Sequence, residues 1–345
     1  DADPNAEVEE CASESSDAQL KPVVLGFVFD VSPSMGRGDD EAHDPDLKWI
    51  PVVAATRAFF EDPASNGVSA TLTFFPADVA GQDNGPKCDP QSYADPDVPL
   101  TPLPSTAFGQ AIDAIDPLAP GNDWPGGGGT PTSGALAGVI DSLTQMQQTD
   151  PDATYAVVLV TDGYPTACSD VDGENRDDIG YVASLVSAVA DSIPTYVVGV
   201  DSPAFYYEED VESSLSNLNE VAGAGGTQSA FIVSTGDADQ TIAEFQSAVE
   251  AIRGSAFSCS LAIPDPPDGQ AFDVERVNVD YTSGDATTRL VYSPECSEPN
   301  AWHYDDETAP TEIDLCQDAC DTLSGDPVAE LDVAFGCERV TGRVR

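Results

Sequence analysis

The stretch VVLGFVFDVSPSMG, residues 23–36, decides how this chain folds. Val23–Phe29 is continuous, apolar and rich in β-branched side chains. That pattern reads as a strand buried on both faces, the kind found in parallel sheets. The run ends on Asp30, and hydroxyls follow at every second position, at Ser32 and Ser34. In open α/β sheets, ligands bind beyond the C-terminal ends of the strands. A carboxylate and two alcohols in step at such an end form an oxygen-only donor set. It suits a hard cation such as Mg2+, which prefers an octahedral shell and keeps waters; nothing soft lies in the set.

Outward from this strand, helix and strand patterns alternate. Trp49, Val52, Val53, Thr56, Phe59 and Phe60 fall on one helical face, and Ala70–Phe75 reads as a second strand. Residues 76–131 form a Pro- and Gly-rich region, long for a connection inside a compact domain. One short helix is expected there around Phe108, Ile112 and Ile115, with Cys88 as a staple. Helices then follow at 132–147, 178–192, near 210–222 and at 239–253, alternating with strands at 155–161, 195–200 and 230–233. The alternation predicts an α/β fold: a doubly wound, mostly parallel sheet with helices on both faces. Past Gly254 the pattern changes to short alternating runs and several prolines, with Cys259, Cys296, Cys316, Cys320 and Cys337 among them. The expected organisation is an N-terminal arm over 1–21, an α/β domain over 22–253 with its 76–131 insert, and a small disulfide-rich β module over 254–345.

Composition narrows the function. The 345 residues include 62 acidic and 12 basic side chains, a formal charge of -50. This argues against nucleic acid or an anionic membrane surface as a direct partner, because both are bound through Lys and Arg. The acidity itself has two readings, a saline or divalent-ion setting and plain solubility. The eight cysteines, which also include Cys11, Cys88 and Cys168, point to disulfides and an oxidising compartment. Zinc is the competing reading, but there is no Cys-x-x-Cys pair, and no His lies near Cys316 and Cys320 in sequence. Two pairings are attractive: Cys88 with Cys168, both following strand-end loops, and Cys259 with Cys337, on runs suited to neighbouring strands. No apolar run approaches the ~20 residues of a transmembrane helix, so no direct membrane insertion is expected. The chain opens on Asp1 rather than Met. From this, a secreted or cell-surface protein with its leader removed is expected.

Two more stretches belong with the first. GGGGTPTSGAL, residues 126–136, turns from a glycine run into a helix at Thr130, and VTDGYPT, residues 160–166, ends a strand on Asp162. In this order and on these elements, DVSPSM, GTPTSGAL and VTDGYPT resemble the three loops of the von Willebrand factor A domain family, with its metal-ion-dependent adhesion site. The resemblance spans about residues 22–253, and the Cys-rich tail is similar to that of secreted bacterial members. It implies metal ligands at Asp30, Ser32, Ser34, Thr130 and Asp162, some direct and some through water. The ion would be Mg2+, with Ca2+ or Mn2+ as alternatives. Thr130 is preferred to Thr132, because the first Thr of the family's Thr-x-Thr run is the usual ligand; Thr132 is expected to cap the helix. The family usually has Gly between the two serines, and Pro33 in its place is expected to stiffen the loop.

The implied function is adhesion, in which an acidic group of a protein or glycan ligand completes the metal's shell. The alternative is a structural subunit of an extracellular filament or surface layer, assembled from copies of the domain. An enzyme is not expected, since His43 and His303 accompany no Gly-x-Ser-x-Gly and no catalytic Cys context. DVDGENRDD, residues 170–178, resembles a calcium loop without the terminal Glu of an EF-hand and reads as a loop feeding the next helix. Residues 37–39 spell Arg-Gly-Asp, a cell-adhesion tripeptide of a kind that also arises by chance.

Overall fold

The structure, a computed structural model, describes residues 14–18, 22–37, 44–77, 85–124, 129–200, 217–234, 237–256, 259–263, 272–284, 286–324, 326 and 329–341. The chain divides into two compact units, Pro22–Ala256 and Phe257–Arg345 together with Asp1–Lys21. Strand β1 (Glu14–Ala18) belongs to the latter.

The larger unit runs β2 (Val23–Asp30), α1 (Trp49–Glu61), β3 (Val68–Phe75), β4 (Val98–Pro102), α2 (Ala107–Ile115), α3 (Thr132–Thr149) and β5 (Thr154–Thr161). It continues with α4 (Ile179–Ser187), β6 (Thr195–Val200), α5 (217–224), β7 (Phe231–Val233) and α6 (Ala238–Ala256). Its six strands form one sheet in the order β4-β3-β2-β5-β6-β7. Every neighbouring pair is parallel except β3 with β4. The chain moves outward from β2 through β3 to β4, returns to the middle, and moves outward again from β5 through β6 to β7. The order therefore reverses between β2 and β5, and such a reversal opens a crevice beyond the strand ends.

Strand β2 is apolar up to Phe29 because both of its faces are covered. Val24 and Val28 join a buried cluster with Leu136, Val139, Ile140 and Leu143 of α3 and Val182 and Val186 of α4. From the other face, Phe27 meets Phe59 and Phe60 of α1 at ring-centroid distances of 5.7 and 4.8 Å, and Phe29 meets Trp49 at 6.1 Å. A strand in that setting has no solvent side, so it shows no polar alternation.

The 76–131 insert carries more structure than its one expected helix. Its helix α2 docks by stacking Phe108 on Phe60, with ring centroids 4.0 Å apart. It also supplies β4, which sequence reading missed. Two prolines in VPLTP hide that strand, and an edge position tolerates them because one side of the backbone needs no donor. Two short turns, Pro86–Cys88 and Pro90–Tyr93, lie against α3. Gly134 and Gly138, one helical turn apart, make that approach possible. A Cβ on Gly134 would come within 3.0 Å of the Cys88 backbone, and one on Gly138 within 2.4 Å of the Pro90 carbonyl oxygen. Gly138→Ala is therefore expected to destabilise the unit by about 1–3 kcal/mol through overpacking, read as a lower urea midpoint. The helix expected over 178–192 ends at Ser187, and that near 210–222 is described only from residue 217.

The smaller unit continues with β8 (Ser260–Ala262), β9 (Val277–Ser283), β10 (Ala286–Arg289), β11 (Val291–Tyr292), β12 (Ala301–Tyr304), β13 (Glu312–Leu315), α7 (Gln317–Ser324) and β14 (Ala329–Phe335). Two four-stranded sheets result, β1-β14-β9-β10 and β11-β12-β13-β8. The segment read as an N-terminal arm thus supplies an edge strand, pairing antiparallel with β14. Cys259 bonds to Cys320 and Cys296 to Cys316, and Cys337 is also disulfide-bonded. The expected Cys259–Cys337 bridge does not form. Cys259 leads into β8 and Cys337 follows β14, and those strands lie in different sheets; Cys320 on α7 meets Cys259 instead. Among the described residues, no helix is long and apolar enough to cross a membrane.

Candidate metal centre

Strands β2 and β5 run side by side with Phe29 opposite Val160, so Asp30 and Asp162 leave adjacent strand ends at the reversal of the sheet. Asp30 is fully buried. Its Oδ1 accepts from the Ser32 backbone N–H at 2.7 Å, and its Oδ2 accepts from the Thr161 hydroxyl at 2.6 Å. Ser34 donates its hydroxyl to Asp162 Oδ1 at 2.9 Å. Ser32 and Ser34 hydroxyls lie 2.9 Å apart. Ser34 has one proton and gives it to Asp162, so Ser32 is the donor of that pair. The result is a continuous chain from Asp30 through Ser32 and Ser34 to Asp162.

The local backbone sets this up. Pro33–Met35 forms a single 3-10 turn, closed by the Met35 N–H on the Ser32 carbonyl at 3.0 Å. Pro33 occupies its first position, where a missing N–H costs nothing and a fixed φ is an advantage. The turn brings the two serine hydroxyls together. Gly36 follows with φ of 146°, and a Cβ there would meet Trp49 at 2.9 Å.

Thr130 stands on a neighbouring loop. Its N–H donates to the Thr166 hydroxyl at 2.8 Å, and the Thr166 N–H returns a bond to the Thr130 carbonyl at 2.9 Å. This stitches the second loop to the third, which carries Asp162. Gly129 beside it has φ of 85°, and a Cβ would lie 2.7 Å from that of Ala167. The structure thus joins Asp30, Ser32, Ser34 and Asp162 in one network and places Thr130 on the adjoining loop. Thr132 is not the cap of α3. Pro131 holds that position, and the Thr132 hydroxyl donates back to the Thr130 carbonyl at 3.2 Å. Cys88 is bonded to Cys168, six residues after Asp162, so the insert is tied to the third loop as expected.

The two carboxylates lie close together with little solvent around them. Burial, and then the charge of Asp162, push the Asp30 carboxyl up to about 7, against the opposing hydrogen bonds from Thr161 and Ser32. Lys48, immediately before α1, supplies positive charge. Its Nζ donates to Asp162 Oδ2 and, at 2.8 Å, to the Ser34 carbonyl. The Lys48 and Asp162 side chains are 1% and 2% exposed. Sequence reading missed Lys48. The one signal for it was scarcity, since the chain has only Lys21, Lys48 and Lys87 against its 62 acidic residues.

A divalent cation fits this donor set. Every side-chain donor is an oxygen, two are carboxylates held at a buried place, and the cluster already binds one positive group. Two other candidates do not fit. In 170–178, Arg176 pairs with Asp172 and Glu174, Asp177 accepts from the Cys168 N–H, and Asp178 caps α4. Those carboxylates are engaged separately. Cys296, His303 and Cys316 bring donor atoms within 4.8 Å of one another, so a His does lie beside these cysteines in space. The two sulfurs, however, are bonded to each other, and a disulfide has no thiolate to offer a metal. His43 and residues 38 and 39 of the Arg-Gly-Asp stretch lie outside the described residues.

No protein-family model matches the chain, and no curated protein matches its sequence. Solved structures that the chain matches include pilus proteins. The SpaC pilus adhesin of Lactobacillus rhamnosus GG, in an open conformation, matches at 15% identity with a TM-score of 0.44, over 93% of this chain and 39% of the adhesin. A variant of the PilB minor pilin of Streptococcus sanguinis matches at 15% identity with a TM-score of 0.43, over 68% of this chain and 62% of the pilin. A manganese-loaded TRAP protein of Plasmodium vivax matches at 14% identity with a TM-score of 0.39, over 89% of this chain and 97% of TRAP. The chain thus spans about two fifths of the SpaC adhesin's length. At these identities and scores, the likenesses assign neither a family nor a function.

Proposed function

We propose that residues 22–253 form a doubly wound von Willebrand factor A-type domain whose metal-ion-dependent site makes this protein a secreted or cell-surface adhesin. The observation that carries this reading is the hydrogen-bonded chain Asp30–Ser32–Ser34–Asp162 at the reversal point of a parallel sheet. Helix α1 on one face of β2 and α3 with α4 on the other support the doubly wound description. Asp30, Ser32, Ser34 and Asp162, with Thr130 from the adjoining loop, would hold Mg2+, Mn2+ or Ca2+. Bound there, the ion supplies an open coordination position for a carboxylate of a protein or glycan ligand. A positive ion also reverses the local sign of an otherwise acidic surface, which lets an acidic ligand approach. Disulfides in both units suit an oxidising, extracellular setting.

The test is Mn2+ binding by electron paramagnetic resonance, beside adhesion of protein-coated beads to matrix proteins and glycans. Ser34→Ala is expected to weaken Mn2+ by on the order of 10-fold or more, the loss typical even of residues that only support a metal ligand. EDTA is expected to abolish bead adhesion. Adhesion that persists in EDTA and in Ser34→Ala would refute metal-mediated capture.

A further inference from the structure

Lysine is among the side chains least often buried, because an ammonium taken out of water needs a charge to meet it. In a chain this acidic, a lysine has carboxylate partners at the surface everywhere. Lys48 is nevertheless buried in the proposed site, with its ammonium on Asp162 and on the Ser34 carbonyl. Both acceptors belong to loops that carry the proposed metal ligands. The same carboxylate oxygens thus face two rival cations, one covalently attached to the chain and one from solution.

We infer that Lys48 is a tethered counter-cation, which neutralises Asp162 while no divalent ion is bound and must be displaced from it when one enters. This rests on the metal-site reading above. An ammonium and a divalent ion a few ångströms apart in a poorly screened site repel strongly, so the two do not share Asp162. Two consequences follow from the exchange. The unit does not need the ion in order to fold, because buried Asp162 already has positive charge beside it. The affinity for the ion is also lower than the oxygen donors alone would give, because binding includes the cost of moving Lys48.

The experiment uses the full wild-type chain first. Amines are acylated with and without saturating Mn2+, and labelled lysines are mapped by mass spectrometry; the chain has three, so the assignment is simple. Lys48 is expected to be protected without Mn2+ and to label several-fold faster with it, while Lys87, also buried, stays protected in both. Paramagnetic resonance then measures Mn2+ affinity in Lys48→Met, with Lys48→Gln as a second variant should the first fold poorly. Removal of the ammonium is expected to tighten Mn2+ roughly 10- to 100-fold. Adding Ser34→Ala to the Lys48 variant is expected to reverse most of that gain. If Mn2+ binds and is weakened by Ser34→Ala, yet Lys48 stays protected and its variants bind no tighter, displacement is overturned and the metal site stands. If neither wild type nor the Lys48 variants bind Mn2+, the metal-site reading itself falls.

Discussion

Asp162→Ala is expected to destabilise the larger unit by about 3–5 kcal/mol, because it leaves the Lys48 ammonium buried without its carboxylate. The pair is nearly inaccessible, at 1% and 2% side-chain exposure, so water cannot take over the lost partner. Ser34 would also lose the acceptor of its hydroxyl. This makes the alanine variant a poor probe of metal binding, since lost adhesion would follow from lost fold as readily as from a lost ligand. Asp162→Asn keeps the acceptor oxygen for Ser34 but sets an amide NH2 in place of the oxygen that meets Lys48, so it retains the site's shape while removing the charge. The double variant Lys48→Met/Asp162→Leu is expected to recover most of the stability, because replacing a whole buried ion pair by apolar groups is often neutral or favourable. Urea unfolding of the three variants checks this. A wild-type midpoint for Asp162→Ala would show that the buried pair is not a coupled unit.

Replacing Cys88 and Cys168 together by serine is expected to cost a similar amount. The two are 80 residues apart in sequence. In the chain-entropy account, a bridge closing a loop of that length stabilises by about 4.5 kcal/mol. The site should feel the change as well as the fold. Cys168 lies just beyond the third loop, and Cys88 lies in the turn that Gly134 admits against α3. Cutting the bridge frees the loop that holds Asp162 from the insert that braces it. Both a lower urea midpoint and weaker Mn2+ binding are therefore expected, measured on the double variant without any reductant. An unchanged Mn2+ affinity beside a lowered midpoint would confine the bridge to a role in stability.

The alternating elements of the larger unit were legible because their signals are local. Period and composition within about ten residues mark Val23–Phe29 as a doubly covered strand and Leu136, Val139, Ile140 and Leu143 as one helix face, and both lie where those patterns place them. Asp30, Ser32 and Ser34 were legible for a similar reason. They sit two residues apart at the end of one strand, and a single turn suffices to bring them together. Asp162 needed only a second strand of the same kind, paired with the first.

What stayed hidden depends on groups far apart in sequence. The strand VPLTP carries no strand signal of its own, and pairing with β3 alone makes it one. The partner of Cys259 was set by which sheet each cysteine borders, and short runs in a β-rich tail do not encode sheet membership. Lys48 is the sharpest case. Its neighbours in sequence form an acidic loop and the start of a helix, which suggest an exposed lysine. Only the folded chain puts its ammonium against Asp162, 114 residues away. The oxygen groups of Asp30, Ser32 and Ser34 are written in local spacing, because one turn of backbone controls where they point. The charge that balances them is not, because electrostatic neutrality in a buried site is a property of everything the fold brings near it.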